Sequence, residues 1–385
     1  MKNVEYLGQV FTPDSIVKEM LELKKNTTRT LEPSCGDGAF LKHLSGEAVG
    51  IEYDTSICPS NALNIDFFDY SIEEKFDTII GNPPYVKYKS INDSTKEKIS
   101  PYIKKKIFDE RTNLYMFFIE KSIHHLNHKG ELIFIVPRDF FKASSAVNLN
   151  KILYENGTIT YIKDFGDKVI FPGFCPNCII FRFEKGNHSK RTIIDGEEFI
   201  FKEVNGQLIF SKHDYPIEFS DLFFVKVGAV SGCDDAFIQP TGATLMVNSS
   251  TRESGQLKKV FYNTYAKELE PFKEKLLGRK IRSFTENNWY HWGRGYFESD
   301  LPRIYVNAKT RKKSPFFINE CKAFDGSILA IFLKDKKNTN MLDEICKELN
   351  NVNWYELGFQ CDGRYLFSQH ALENTVLPKV FQKFK

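Results

Sequence analysis

At 385 residues the chain is long for one domain, and two are expected. Hydrophobic residues make up 42% and charged residues 27%, which excludes a disordered or fibrous chain. The 53 basic and 50 acidic side chains leave a net charge of only +3, so global charge does not announce a nucleic-acid binder. No apolar run approaches the roughly 18 residues of a transmembrane helix, and no membrane association is expected. The first residues, Met1-Lys2-Asn3-Val4-Glu5-Tyr6, lack an apolar secretory core. With 8 dispersed cysteines and no export signal, the expectation is reduced thiols in a cytoplasm.

Residues 1–185 alternate between short apolar runs and helical patterns. Asp14–Leu23 follows a Thr-Pro helix start. Strands are predicted at Arg29–Pro33, Ala48–Tyr53, Leu63–Phe67, Phe76–Gly81, Glu131–Pro137, Thr158–Phe165 and Cys178–Phe183. A helix over Leu114–Leu126 sets Leu114, Phe118, Ile119, Ile123 and Leu126 on one face. Such alternation predicts an α/β fold with a doubly wound, mostly parallel sheet, with Phe181 and Phe183 suited to a late antiparallel strand. Gly186–Lys190 reads as a junction, giving domains of 1–185 and 186–385, the second of mixed α and β structure.

The residues that carry chemistry lie at successive strand ends. Leu31–Phe40 is a strand, a glycine turn (Gly36-Asp37-Gly38) and a helix start, which lets a ligand approach the backbone closely. Glu52, one strand later, sits near the offset at which an acid receives ribose hydroxyls. Asp66-Phe67, an acid beside an aromatic at the next predicted strand end, suits an adenine. Asn82-Pro83-Pro84-Tyr85 then ends the Phe76–Gly81 run. Two prolines cannot extend a ladder and fix a rigid turn. The Asn oxygen and a Pro carbonyl can accept both hydrogens of an exocyclic amine, with Tyr85 flat against the ring that bears it.

Gly8–Pro13, Glu32–Phe40, Glu52, Asp66-Phe67 and Asn82–Tyr85 stand in an order that resembles the S-adenosylmethionine-dependent DNA adenine-N6 methyltransferases of the gamma (TaqI-type) arrangement. Asn113-Leu114-Tyr115, Val136-Pro137 and Ile170-Phe171-Pro172 extend the likeness, which is specific over residues 8–184 and loose beyond. The resemblance implies a Rossmann-like catalytic domain, a C-terminal target-recognition domain and S-adenosylmethionine as cofactor. Phe11, Thr12 and Pro13 would close over the methionine moiety, which Glu32, Ser34 and Gly36 would line. Glu52 would hold the ribose, Tyr53 would lie beside the cofactor base, and Asp66 and Phe67 would bind and stack on its adenine. Asn82 and the Pro83 carbonyl would accept from the target N6 amine, with Pro84 at both the cofactor and the target. Tyr85 would stack on the flipped adenine, and Phe171, with Phe174 as a rival, would meet its other face.

The implied partner is double-stranded DNA, for a monomer that modifies the sites of a restriction–modification system. A companion endonuclease need not bind it stably. Asn-Pro-Pro-Tyr also occurs in enzymes that methylate release-factor glutamine or ribosomal RNA, which keeps those substrates as alternatives. No metal is expected: Cys175-Pro176-Asn177-Cys178 has no second ligand pair nearby. His124, His125 and His128 read as surface or partly packed.

Residues 273–313 hold 11 basic and 4 acidic side chains, interleaved with aromatics such as Trp289, Trp292, Tyr305 and Phe316. Cations can neutralise phosphates and rings can stack on bases, although a solvated face over a satellite core would look the same. Lys309, Arg311, Lys312 and Lys313 are expected on the DNA backbone, and Arg279 and Arg294 at base edges.

Overall fold

A computed structural model describes residues 10–166, 168–171, 177–361 and 363–385. The chain divides into two compact units, Met1–Asp214 and Tyr215–Lys385. This division lies later than the junction at Gly186–Lys190, because the sheet of the first unit continues past it. No helix among the described residues is long and apolar enough to cross a membrane.

The first unit is built on a nine-stranded sheet. Its strands are β1 (Thr30–Glu32), β2 (Ala48–Gly50), β3 (Phe76–Gly81), β4 (Leu126–Pro137), β5 (Gly157–Asp164), β6 (Cys178–Lys185), β7 (Arg191–Ile194), β8 (Glu197–Val204) and β9 (Gln207–Ser211). Their order is β2-β1-β3-β4-β6-β5-β7-β8-β9. Strands β2, β1, β3 and β4 are parallel. β6 enters antiparallel between β4 and β5, as the Phe181/Phe183 pattern predicted. β5 and β7 are parallel to each other, and β8 and β9 close the edge as antiparallel ribbons.

Alternation along the strands explains why both faces are covered. Ile79, Leu132, Phe134 and Val136 point into a core built with α3 (Leu114–His125) and α4 (Val147–Asn156). Their neighbours Ile80, Ile133 and Ile135 point to the opposite core, with Ile16, Val17 and Met20 of α1 (Asp14–Glu22). The period of two therefore feeds two apolar layers, the requirement for a doubly wound Rossmann-like sheet.

Two local expectations change. Leu63–Phe67 is not a strand. Leu63 forms a single parallel bridge with Ile51, and the Asp66 side chain then accepts from Phe68 N at 2.9 Å and turns the chain into a short 3-10 helix, Phe67–Asp69. His125 is fully buried, stacked on Tyr70 with its Nδ1 2.8 Å from the Glu74 carbonyl, because α3 packs on nearly every face. Burial pushes its imidazole down to about 4.

The second unit is of mixed composition. Strands Phe223–Val227, Ile328–Leu333, Arg303–Asn307 and Phe316–Ile318 form an antiparallel sheet in that order. The helix Leu342–Asn351 is tied to it through Asn350, which accepts from Phe316 N at 2.9 Å and donates to Phe316 O at 3.0 Å. A separate core gathers Phe237, Leu269, Leu276, Trp289 and Trp292.

Candidate active site

The turn after β1 carries the first part of the site. Gly36 and Gly38 have φ of +54° and +81°, conformations that L side chains rarely adopt. No atom lies within 4 Å of the position a Gly36 Cβ would occupy, so the backbone there is open to a ligand. Glu52 is the counterpart after β2. Its Oε2 accepts from Gly36 N and its Oε1 from Asp54 N, both at 2.8 Å. Burial raises its carboxyl above the ordinary range.

Asp66 is held from three sides. Oδ1 accepts from Phe68 N, while Oδ2 accepts from Thr95 Oγ1 at 2.9 Å and Lys98 Nζ at 3.1 Å. Thr95 and Lys98 stand in α2 (Asp93–Lys104), whose cap is Asn92: its side chain accepts from Thr95 N at 2.8 Å. The sequence reading did not find these residues. The cap is legible as a helix start, but nothing in one dimension shows that its first turn closes a pocket.

β3 delivers Asn82. Its Nδ2 donates to the Val10 carbonyl at 3.1 Å and to Thr12 Oγ1 at 3.2 Å, which fixes the amide's orientation. Its Oδ1 is buried and has no hydrogen-bond partner among the described residues. Such an orphaned acceptor costs about 1–3 kcal/mol and calls for a missing donor. Ser34 Oγ donates to the Asn82 carbonyl at 3.2 Å and binds the glycine turn to the proline turn.

One cavity joins these pieces. Phe11, Ser34, Gly36, Glu52, Tyr53, Asp66, Phe67, Asn82 and Pro84 all line it. Ile91, Asn92, Thr95, Leu114 and Phe118 are also in the wall. Thr12, Pro13, Glu32, Pro83, Tyr85 and Phe171 are not in its lining. Pro13 caps α1, and Thr12 acts through Asn82. Glu32 is buried behind the turn with Oε2 unpartnered among the described residues, and burial raises its carboxyl strongly.

The aromatic positions fall differently from their expected roles. Phe67 is only 2% exposed, its ring 5.0 Å from Phe118 and its carbonyl held by Lys121 Nζ at 2.7 Å. Such a ring offers little face to an adenine. Tyr53, 47% exposed on the same cavity, has a free one. The Tyr85 hydroxyl donates to the Ile135 carbonyl at 2.7 Å. Its ring meets Tyr115 and Phe171 edge-on, with centroids 5.9 and 6.4 Å away. Phe171 is buried; Gly8, Gln9, Pro172, Phe174 and Cys175 lie outside the described residues.

In the second unit, Arg279 is not at a surface. It is 8% exposed, and its guanidinium is consumed by backbone carbonyls of Leu276, Ser231, Trp289 and His291. A side chain so engaged cannot read a base edge. Trp289, Trp292, Tyr305 and Phe316 are likewise core residues. Among the cations, Arg294, Lys309, Arg311, Lys312 and Lys313 are exposed, with Lys312 3.4 Å from Glu253.

Comparison with known proteins gives the site a context. Residues 39–171 match the family described as Eco57I restriction-modification methylase. Over 190 residues the chain is 36% identical to the type II methyltransferase M.HincII of Haemophilus influenzae, covering 47% of this chain and 38% of that protein. Over 216 residues it is 32% identical to M.TthHB8I of Thermus thermophilus, covering 50% and 49%. The chain thus spans less than half the length of these two curated relatives. Among solved structures, the type IIL restriction-modification enzyme MmeI, determined in complex with DNA, superposes with a TM-score of 0.59 at 12% identity, covering 94% of this chain and 64% of that one. That likeness concerns the fold.

The match to a methylase family over residues 39–171 indicates S-adenosylmethionine as cofactor. The cavity fits it: an open glycine turn, a buried acid held by backbone amides, and a second acid with an exposed aromatic ring on the same cavity.

Proposed function

We propose that the chain is a site-specific DNA methyltransferase of a restriction–modification system, transferring a methyl group from S-adenosylmethionine to the N6 amine of an adenine flipped out of duplex DNA. The observation that carries the reading is the orphaned Asn82 Oδ1 at the end of β3, beside the cavity. The match to a restriction-modification methylase family and the type II relatives support it. Adenine as target rests on the resemblance carried by Asn82-Pro83-Pro84-Tyr85.

S-adenosylmethionine supplies a methyl group already activated on a sulfonium. The protein's task is therefore alignment more than acid–base work. Because Nδ2 of Asn82 is committed to Val10 and Thr12, Oδ1 faces the incoming amine. Together with the Pro83 carbonyl it draws the amine hydrogens and stabilises the positive charge that develops on nitrogen. The proton can leave after transfer, so no general base is required before it. Glu52 would receive the ribose hydroxyls and Asp66 the adenine amine of the cofactor, with Tyr53 beside the base. Ser34 and Gly36 would face the methionine side, with Glu32 buried behind the turn that carries them. Flipping a base costs a few kcal/mol, and stacking on Tyr85, worth about 1–3 kcal/mol, offsets part of it. Tyr85 and Phe171 meet edge-on as they stand, so the base enters once one ring turns.

The enzyme acts in the cytoplasm as a monomer, beside an endonuclease that need not bind it. Its catalytic and target-recognition functions divide between the two units. The test is transfer of labelled methyl groups to unmethylated DNA, ribosomal RNA and release factor, run with wild type and Asn82→Ala. DNA is the expected acceptor. Asn82→Ala should abolish transfer while calorimetric affinity for S-adenosylmethionine stays nearly intact. Appreciable turnover by the variant, or transfer only to RNA or protein, rejects the reading.

A further inference from the structure

In the second unit, residues 278–284 are clamped from beneath by a buried guanidinium. Arg279 Nε donates to Leu276 O at 2.8 Å, Nη1 to Ser231 O at 2.5 Å, and Nη2 to Trp289 O and His291 O at 2.7 and 2.8 Å. Three separate stretches of backbone are thereby drawn to one point. A buried charge that is this fully bonded is costly to disturb, so the platform is rigid. The Phe284 ring adds to it, 3.8 Å from the Arg279 guanidinium and 5.1 Å from that of Arg282.

What the platform carries faces outward. Lys280, Ile281 and Arg282 are exposed, Ile281 by 45%. Ile281 rests on two glycines: a Cβ on Gly232 or Gly293 would lie 2.5 or 2.7 Å from its Cδ1. Arg294 follows Gly293 and is exposed, its backbone paired both ways with Val230. Lys280, Arg282 and Arg294 have no acidic partner among the described residues. Acids on flanking segments are already engaged, Asp235 with Lys275, Glu286 with Lys273 at 2.7 Å, and Asp234 with Lys258 at 3.9 Å. An exposed branched apolar side chain amid three cations without acidic partners, of which Arg294 donates to the Gly228 carbonyl at 3.4 Å, is poorly suited to water. It is well suited to a DNA groove, where guanidinium forks match guanine edges and a methyl group meets thymine.

We propose that Lys280, Ile281, Arg282 and Arg294 form a base-reading tip that enters a groove of duplex DNA, with Arg282 and Arg294 contacting base edges and Arg279 serving as their platform. This rests on the DNA methyltransferase reading above and names the recognition surface within it.

The test uses the full chain, expressed with a plasmid in a host lacking adenine methylation, and long-read detection of modified adenines. Wild type defines the methylated motif. Arg282→Ala and Arg294→Ala, checked for unchanged melting temperature, should each relax that motif at one position, with discrimination there falling about 5- to 150-fold, the range of one bidentate base contact. An unchanged motif overturns the tip. So does uniform weakening on all sequences with a shallower salt dependence, which marks phosphate contacts. If wild type modifies no DNA at all, the methyltransferase reading fails, and the tip with it.

Discussion

At the residue scale, Asn82 shows how a side chain is prepared without its partner. One end of its amide is fully used and the other is buried unused, so the group is oriented before any target arrives. Glu52 is a parallel case. Its two backbone bonds hold the carboxylate at the cavity wall while burial opposes its charge. Both residues were legible in the sequence, because an acid or an Asn-Pro-Pro-Tyr turn at a strand end has few structural uses. Phe67 serves two sides: it lines the cavity yet is only 2% exposed, and burial alone shows how little of its ring a ligand can reach. Glu52→Ala should weaken S-adenosylmethionine binding by roughly 1.5–3 kcal/mol, the scale for losing charged-acceptor hydrogen bonds. Titration calorimetry measures it, and unchanged affinity would remove Glu52 from the ribose.

At the element scale, α2 and α3 decide the shape of the pocket. The first two turns of α2 bring Thr95 and Lys98 onto Asp66. α3 brings Lys121, whose ammonium donates to the carbonyls of Phe67 and Tyr70 at 2.7 and 2.9 Å and fixes the turn that carries Asp66. The helix Leu114–Leu126 was predicted within one residue of its end, since its apolar content allows nothing else. Its buried polar face was not, because Lys121 and His125 look like solvent residues until their carbonyl partners are known, and Glu120 until its burial is. Thr95→Val keeps the side chain's volume and deletes one hydrogen bond to Asp66. It should weaken cofactor binding by about 1 kcal/mol and leave kcat at saturating cofactor unchanged, with Thr95→Ser close to wild type. Equal affinities for the Val and Ser variants would show that Lys98 suffices to place Asp66.

At the scale of the whole molecule, chemistry and charge are segregated. The first unit holds every residue that lines the site's cavity, and the second holds the basic stretch. That stretch proved to be two things at once: its tryptophans, Arg279 and Arg303 are buried, while Lys280, Arg282, Arg294, Lys309, Arg311, Lys312 and Lys313 are exposed. If Lys309, Arg311, Lys312 and Lys313 track the duplex backbone, replacing all four weakens binding to cognate and scrambled DNA alike. Each lost phosphate contact should then lower the salt slope by about 0.9, with Lys312 contributing least because Glu253 already faces it. A binding series across salt concentrations reads the slope, and a slope equal to wild type would move the backbone track off these four residues.

The sequence by itself determined strands β1 to β6, helices α1 and α3, the antiparallel entry of β6, and Glu52 and the Asn82 turn behind their strands, but it placed an extra strand at Leu63–Phe67 and left α2 and α4 unread. Period-two burial and turn chemistry are written locally, residue against neighbour, and need no knowledge of the rest of the chain. The tertiary structure alone decided which rings are buried and which are open to the cavity, that α2 closes the pocket, and that the Arg279 guanidinium is buried among backbone carbonyls. Each of these depends on partners distant in the chain, such as Thr95 on Asp66 or Arg279 on Ser231, and a contact of that kind leaves no period in the sequence to be read.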